Sequence, residues 1–420
     1  MTATLEAPAR RSLWFHRDFR LLWMGETISK VGGAVTGVAV SLVAVDVLNA
    51  SSLEMGVLRA MSWLPWLLIG LPAGAWIDRV RRKPVMIWVD VVSMALFLTV
   101  PIAAWLGALT MTQLLVVTLV AGVGQVFFSA AYGAYLPTLV HKDDLPEGNA
   151  KLAGTEQVAM VAGPGLGGVI AQLLGPVTAL LSQAVGFLVS ALCLRQIRTE
   201  EPAPERSEQP NLRRDIADGW RYIVRDPYLR VLAACSAVDN LTLSGAQALL
   251  VLFLVRDVGQ DAGAVGLLIG ADALGGVLGA LIATRIVKRL GTGRALLASS
   301  LLATPFGLLI PLTDSGIGLG FFVAGLLIPS IGIVVTNVVV NGFRQAYVPS
   351  HLQGRVFTSS RFVAFGVIPI GALLGGWLGD AIGIRDALWV LLFAAALGKL
   401  LRLAGPFRTT KDLPTEPRTS

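Results

Sequence analysis

Twelve apolar stretches run through this chain, at 18-47, 53-77, 84-107, 110-138, 150-174, 176-195, 228-255, 262-287, 294-313, 316-346, 354-380 and 386-405. Each is near or above the ~20 residues that a ~30 Å hydrocarbon core requires of a helix, with tilt absorbing the excess. Nothing constrains the fold more. In lipid every backbone N–H and C=O must be satisfied within the chain, so stretches of this length cross as helices. The composition agrees, because hydrophobic residues fill 54% of 420 positions and charged residues only 15%, against about 25% charge in soluble domains. The fold class predicted is an all-α integral membrane protein of twelve transmembrane helices.

Charge places the helices across the membrane. Met1 to Arg20 is polar, carries Arg10, Arg11, Arg17 and Arg20, and holds no apolar run ending at a small-residue cleavage site, so the N-terminus is expected to stay cytosolic. Threading twelve spans from there puts Arg79, Arg81, Arg82, Lys83, Arg285, Lys288, Arg289 and Arg294 inside. Of the 34 Lys and Arg, only Arg59, Arg256 and Arg385 fall outside. That asymmetry predicts a cell inner (cytoplasmic) membrane protein with both termini cytoplasmic. The net charge of +7 then reflects topology and contact with anionic headgroups, with no nucleic-acid partner.

The chain divides in two. A cytosolic segment (1-17) and six spans (18-196) precede a polar linker with an amphipathic helix at the inner interface (197-227); six more spans (228-405) and a polar tail (406-420) follow. The halves repeat. Asp78-Arg79-x-x-Arg82-Lys83 is matched by Thr284-Arg285-x-x-Lys288-Arg289, and Ala134-Tyr135-x-Pro137 by Ala346-Tyr347-x-Pro349. Two pseudo-symmetric six-helix bundles that rock about a shared interface expose a central site to each side in turn.

Four charges inside apolar segments are candidates for coupling: Glu26 and Lys30 in the first span, Asp239 in the seventh and Asp272 in the eighth. A charge at bilayer depth costs at least ~2.5 to 3.5 kcal/mol, so it turns toward protein or an aqueous path. Glu26 and Lys30, spaced i,i+4, either neutralise one another on one face or take part in coupling or substrate contact. Asp239 and Asp272 serve as proton carriers or as polar packing groups. Glu156 faces either the cavity or the interface. Trp63, Trp66, Phe127, Phe128, Tyr132 and Met160 line an apolar substrate cavity or contact lipid. Cys193 and Cys235 fall in or beside spans and read as small buried hydrophobes. No His-Glu-x-x-His pattern and no phosphate-cradling Gly-x-x-x-x-Gly-Lys-Ser/Thr loop occurs, so an enzyme, an ATP-driven pump, a metal site and a cofactor are not expected.

Over nearly its whole length the chain resembles the major facilitator superfamily. Gly74-Ala75-Trp76-Ile77-Asp78-Arg79-Val80-Arg81-Arg82-Lys83 is similar to the signature between helices 2 and 3, with Arg81 where a glycine is usual. The resemblance implies a cytoplasmic latch built on Gly74, Asp78, Arg79, Arg82 and Lys83, which Asp90 and Arg361 are expected to join in one charge network. Gly163-Pro164-Gly165-Leu166-Gly167-Gly168 resembles the helix 5 signature of antiporters. Its glycines serve either close helix packing or a bend that seals the path against proton leak. Phe19-Arg20-Leu21-Leu22-Trp23 with Ser29, Gly32 and Gly354-Arg355-Val356 resembles the drug/proton antiporter branch containing macrolide efflux proteins and the enterobactin exporter. Many such antiporters carry an arginine in helix 4; Ala121-Gly122-Val123-Gly124-Gln125 has none. The resemblance implies a monomeric secondary transporter that exports an amphiphilic small molecule, such as a macrolide, other antibiotic or siderophore, in exchange for protons. Uptake of a small metabolite, or a non-transporting sensor or scaffold, is the alternative.

Overall fold

The computed structural model describes residues 12–201, 212–407 and 411–416. Arg10 and Arg11, positions 202–211 of the expected linker and the tail positions 408–410 and 417–420 lie outside the described residues. Among the described residues the structure is helical, with no strand. The N-terminal bundle comprises α1 (Arg17–Leu42), α2 (Ser52–Ile77), α3 (Arg82–Trp105), α4 (Met111–Leu139), α5 (Leu145–Leu174) and α6 (Leu181–Gln196). The C-terminal bundle comprises α7 (Pro227–Leu252), α8 (Ala262–Leu290), α9 (Thr292–Ala303), α10 (Leu319–Tyr347), α11 (Ser350–Ile382) and α12 (Ile384–Gly398). Among the described residues ten of the helical segments are long and apolar enough to cross a membrane. The 26-residue α2 and the 15-residue α12 complete the twelve.

Local chemistry sets the ends and breaks. Ser51 and Glu54 form a reciprocal capping box that starts α2, and the Asp261 carboxylate accepts from the Ala264 N–H at 2.8 Å to start α8. Gly175 and Gly383 end α5 and α11 at φ of 85° and 92°, a region that favours glycine. The ninth span departs from a uniform helix: Pro305 and Pro311 remove backbone donors, and Thr304–Leu312 winds as a 3-10 helix. The twelfth is shorter than the 386-405 window, because α12 stops at Gly398 and only a turn at Leu401–Ala404 follows.

The repeat seen in the sequence is structural. α1 and α7 each end in a five-residue π turn, Val43–Val47 and Phe253–Asp257, and the caps Ser51 and Asp261 follow at the same spacing of 210 positions. Within the bundles α1 packs on α5 and α6, and α7 on α11 and α12; between them α2 packs on α11, and α5 on α8.

The hydrophobic core shows how the bundles meet. At one end a single buried core joins both, from Val35, Leu42, Met55 and Leu58 to Leu249, Phe253 and Val265. At the end carrying the 79–83 loop it divides in two. Phe19, Ile77, Met86 and Tyr135 form one core in the N-terminal bundle, while Tyr228, Phe343, Tyr347 and Phe407 form another in the C-terminal bundle. The molecule is thus closed at one end and parted at the other. A helix occupies Leu212–Arg225 and sits against α11: Ser359 Oγ donates to the Ile216 carbonyl at 3.0 Å, and Asp218 pairs with Arg355 at 3.3 Å.

Candidate functional site

Each bundle holds a charged cavity. In the N-terminal bundle α1 brings Glu26 and Lys30, α3 Asp90, α4 Gln125 and Phe128, and α5 Glu156 and Met160 around a cavity of about 300 Å³. Lys30 Nζ lies 3.6 Å from Glu26 and 3.2 Å from Glu156. The expected i,i+4 pair forms, but the ammonium is shared with a second carboxylate from another helix. Asp90 is fully buried, and among the described residues neither of its oxygens accepts a hydrogen bond of full geometry. A second cavity of about 380 Å³ shares Gly33, Gln125, Gln183 and Phe187 with the first and reaches Trp66 and Arg59 on α2.

Arg59, expected on the outer side, lies two turns into α2. Its guanidinium reaches across to α7, donating to Gln247 Oε1 and, at 3.4 Å, to Ser244 Oγ. Gln125 stands in the helix 4 stretch that lacks an arginine, and it lines both cavities.

In the C-terminal bundle α7 to α10 and α12 surround a cavity of about 270 Å³ lined by Asp239, Asp272, Arg344, Lys399 and Arg402. Asp239 is ion-paired: its Oδ2 lies 2.5 Å from Lys399 Nζ and 3.9 Å from Arg402. Asp272 is exposed on the cavity wall and makes no ion pair among the described residues. Lys399 and Arg402 lie within the 386-405 window and were not singled out from the sequence. Their pairing with Asp239, 160 positions away, carries no local sequence signal.

The latch differs from expectation. Asp90 and Arg361 do not join the 79–83 loop, because Asp90 points into the bundle cavity and Arg361 stacks on Phe357 and Phe365, 5.5 and 5.0 Å from the ring centres. Glu201 takes that place. Its carboxylate accepts from the Arg82 and Lys83 backbone N–H groups at the start of α3 and pairs with the Arg82 side chain at 3.2 Å. Lys83 Nζ donates to the Ile197 carbonyl at 2.6 Å. Asp78 and Arg79 make no ion pair among the described residues; Asp78 closes α2, donating its N–H to the Gly74 carbonyl at 3.2 Å. Arg81 takes φ −67°, so the loop turns without a glycine there.

Contacts missed by the sequence hold the closed end. The Asp380 carboxylate at the end of α11 accepts from the Ser52 and Leu53 N–H groups at 2.9 and 3.2 Å, joining the bundles at the N-terminus of α2. The helix 5 glycines are crossing points. Gly163 and Gly167 lie against Ala34 and Val35 of α1, and a Cβ on Gly168 would stand 2.5 Å from the Ala262 carbonyl of α8, beside Gly266. Pro164 lies in that same crossing, its carbonyl against Gly266.

Of the aromatic and Met candidates, Trp66, Phe128 and Met160 line the cavities. Tyr132 stacks on Phe128 at 6.2 Å, Phe127 meets Trp76 edge-on at 5.4 Å, and Trp63 contacts Phe365 of the other bundle at 5.5 Å.

Two pseudo-symmetric six-helix bundles, closed at one end over charged cavities, define a polytopic membrane transporter. The family of transmembrane secretion effectors matches residues 10–419, and the chain belongs to it and to the major facilitator superfamily. It is a transporter and not an enzyme. The chain is 26% identical over 382 residues to the multidrug efflux pump Tap of Mycolicibacterium fortuitum, covering 88% of this chain and 91% of that one. It is 22% identical over 389 residues to macrolide efflux protein A of Streptococcus pyogenes, covering 89% and 92%. The fold superposes on a bacterial homologue of the iron transporter ferroportin with a TM-score of 0.75, at 17% identity, over 95% of this chain and 100% of that chain.

Proposed function

We propose that the protein exports an amphiphilic small molecule in exchange for protons by alternating access. The observation that carries this reading is the cluster in the N-terminal bundle. One ammonium, Lys30, faces the carboxyl groups of Glu26, Glu156 and Asp90 in a single cavity. It balances one of three, and protons or a cationic substrate supply the remainder, so loading and release are linked through shared charge. Asp272 is a second proton-carrying candidate. Asp239, held by Lys399, is bound in this conformation.

With the 79–83 loop on the cytoplasmic side, as the Lys and Arg distribution favours, the parted end faces the cytosol and the molecule is poised to load substrate from inside. The two efflux relatives support outward transport of a drug-like compound. The apolar and aromatic walls at Trp66, Phe128 and Met160 suit an amphiphile. The crossing of α5 on α8 at Pro164 and Gly168 closes the outer end, with Gly163 and Gly167 holding α5 against α1 behind it.

The test is accumulation of a macrolide, other antibiotics and fluorescent amphiphiles in inverted vesicles with an acid interior. Uncoupler-sensitive accumulation that falls at least tenfold in Glu26→Gln or Asp90→Asn is expected. Undiminished uphill accumulation in both variants would remove the cluster from the coupling, and uphill movement out of the vesicles would reverse the direction.

A further inference from the structure

We infer that the cavity of the C-terminal bundle is a binding site for the oxyanion of a small amphiphile, a carboxylate or a phosphate. Three cations line it, Arg344 from α10 and Lys399 and Arg402 at the end of α12, with two carboxylates, Asp239 and Asp272. Asp272 pairs with none of the three among the described residues, so Asp239 serves Lys399 and, more distantly, Arg402.

The donors left over point to the ligand. Arg402 is 3% exposed, yet among the described residues its Nε and Nη1 have no hydrogen-bond partner, and Nε of Arg344 has none either. Buried guanidinium donors without acceptors are costly, and a planar fork of N–H groups matches the two oxygens of a carboxylate or phosphate. Water would supply acceptors but no charge. An oxyanion supplies both. The rest of the wall joins hydroxyl and amide side chains, Asn240, Ser300 and Thr336 among them, to an apolar part formed by Leu243, Ile310, Leu326, Pro329 and Leu392, so the group enters attached to a body that is itself partly hydrocarbon. Access exists, because Asp272, Asn337 and Asn341 on the wall are exposed.

The site competes with an internal anion. An incoming carboxylate takes the place of Asp239 beside Arg402 and Lys399. The two cavities therefore have opposite preferences, acid-rich in the N-terminal bundle and base-rich here. This assignment depends neither on the direction of transport nor on its coupling.

The experiment measures octanoate binding calorimetrically to the full chain in phosphatidylcholine nanodiscs, with octylamine as a probe of the same body and opposite charge. Saturable octanoate binding is expected, weakened at least tenfold in Arg402→Gln and in Arg344→Gln and tightened severalfold in Asp239→Asn, which removes the internal competitor. Should Arg402→Gln not fold, the other two variants decide. Nanodiscs doped with phosphatidylglycerol distinguish the sources: competition with octanoate identifies a lipid headgroup as the occupant, and no competition identifies a dissolved amphiphile. Absence of octanoate binding, equal binding in all variants, or preference for octylamine overturns the assignment.

Discussion

Asp239 is the one carboxylate within reach of Lys399 and Arg402 among the described residues, at 2.5 and 3.9 Å, and this makes the site asymmetric toward substitution. Removing the carboxylate strands two buried cations, whereas removing Lys399 leaves Asp239 beside Arg402. Breaking a buried pair costs about 3–5 kcal/mol when the survivor is fully enclosed. The Asp239 side chain is 26% exposed, which lowers the expected loss to roughly 1–3 kcal/mol. Asp239→Ala is therefore expected to lower the Tm of the purified protein clearly more than Lys399→Met, as thermal unfolding will show. The pairing of Glu26 with Lys30 was legible because both sit on one helix face four residues apart. Glu156 and Asp90 were not assignable in the same way. Which side of α3 or α5 faces the cavity depends on how those helices pack, and nearly every face of a membrane helix is apolar.

At the scale of elements, the bundles meet where glycines let backbones touch. A Cβ on Gly56 of α2 would stand 2.5 Å from the Ala372 carbonyl and 3.0 Å from Gly376 Cα of α11, while Gly354 near the start of α11 has open space around it. Overpacking such a crossing costs about 1–3 kcal/mol. Gly376→Leu should lower the Tm and impair transport, and Gly354→Leu should leave the stability within about 0.5 kcal/mol of the parent. Equal effects at the two positions would show that the crossing is tolerant. The small-residue runs were visible in the sequence, and so was close packing as their use. Their partners were not. Gly163 and Gly167 serve a contact inside the bundle with α1, whereas Gly168, one residue on, serves the contact with α8 of the other bundle.

For the whole molecule, the balance between the two ends is set by contacts far apart in the chain. Asp380 receives the first N–H groups of α2 from 328 positions away, and a carboxylate at a helix N-terminus is worth about 1 kcal/mol. Asp380→Ala is then expected to raise the population open at that end about fivefold. Spin labels at Ala108→Cys and Ser315→Cys, both exposed loop positions of opposite bundles, would report a second, longer distance that grows in the variant. An unchanged distribution would show that the shared core around Leu42, Leu249 and Phe253 sets the balance without Asp380.

Hydrophobic length and charge asymmetry determined, from the sequence alone, twelve helices, their grouping into two repeats and the presence of ionisable groups at membrane depth. These are local quantities, because a helix in lipid satisfies its own backbone and can be recognised without its neighbours. Tertiary structure alone decided that Asp90 belongs to the cavity and not to the latch, that Glu201 caps α3, that Lys399 and Arg402 enclose Asp239, and that Asp380 ties the bundles together. The last three are meetings of side chain with side chain or helix end across more than a hundred positions. Helix rotation and bundle docking determine such meetings, and apolar periodicity in a membrane chain does not encode them.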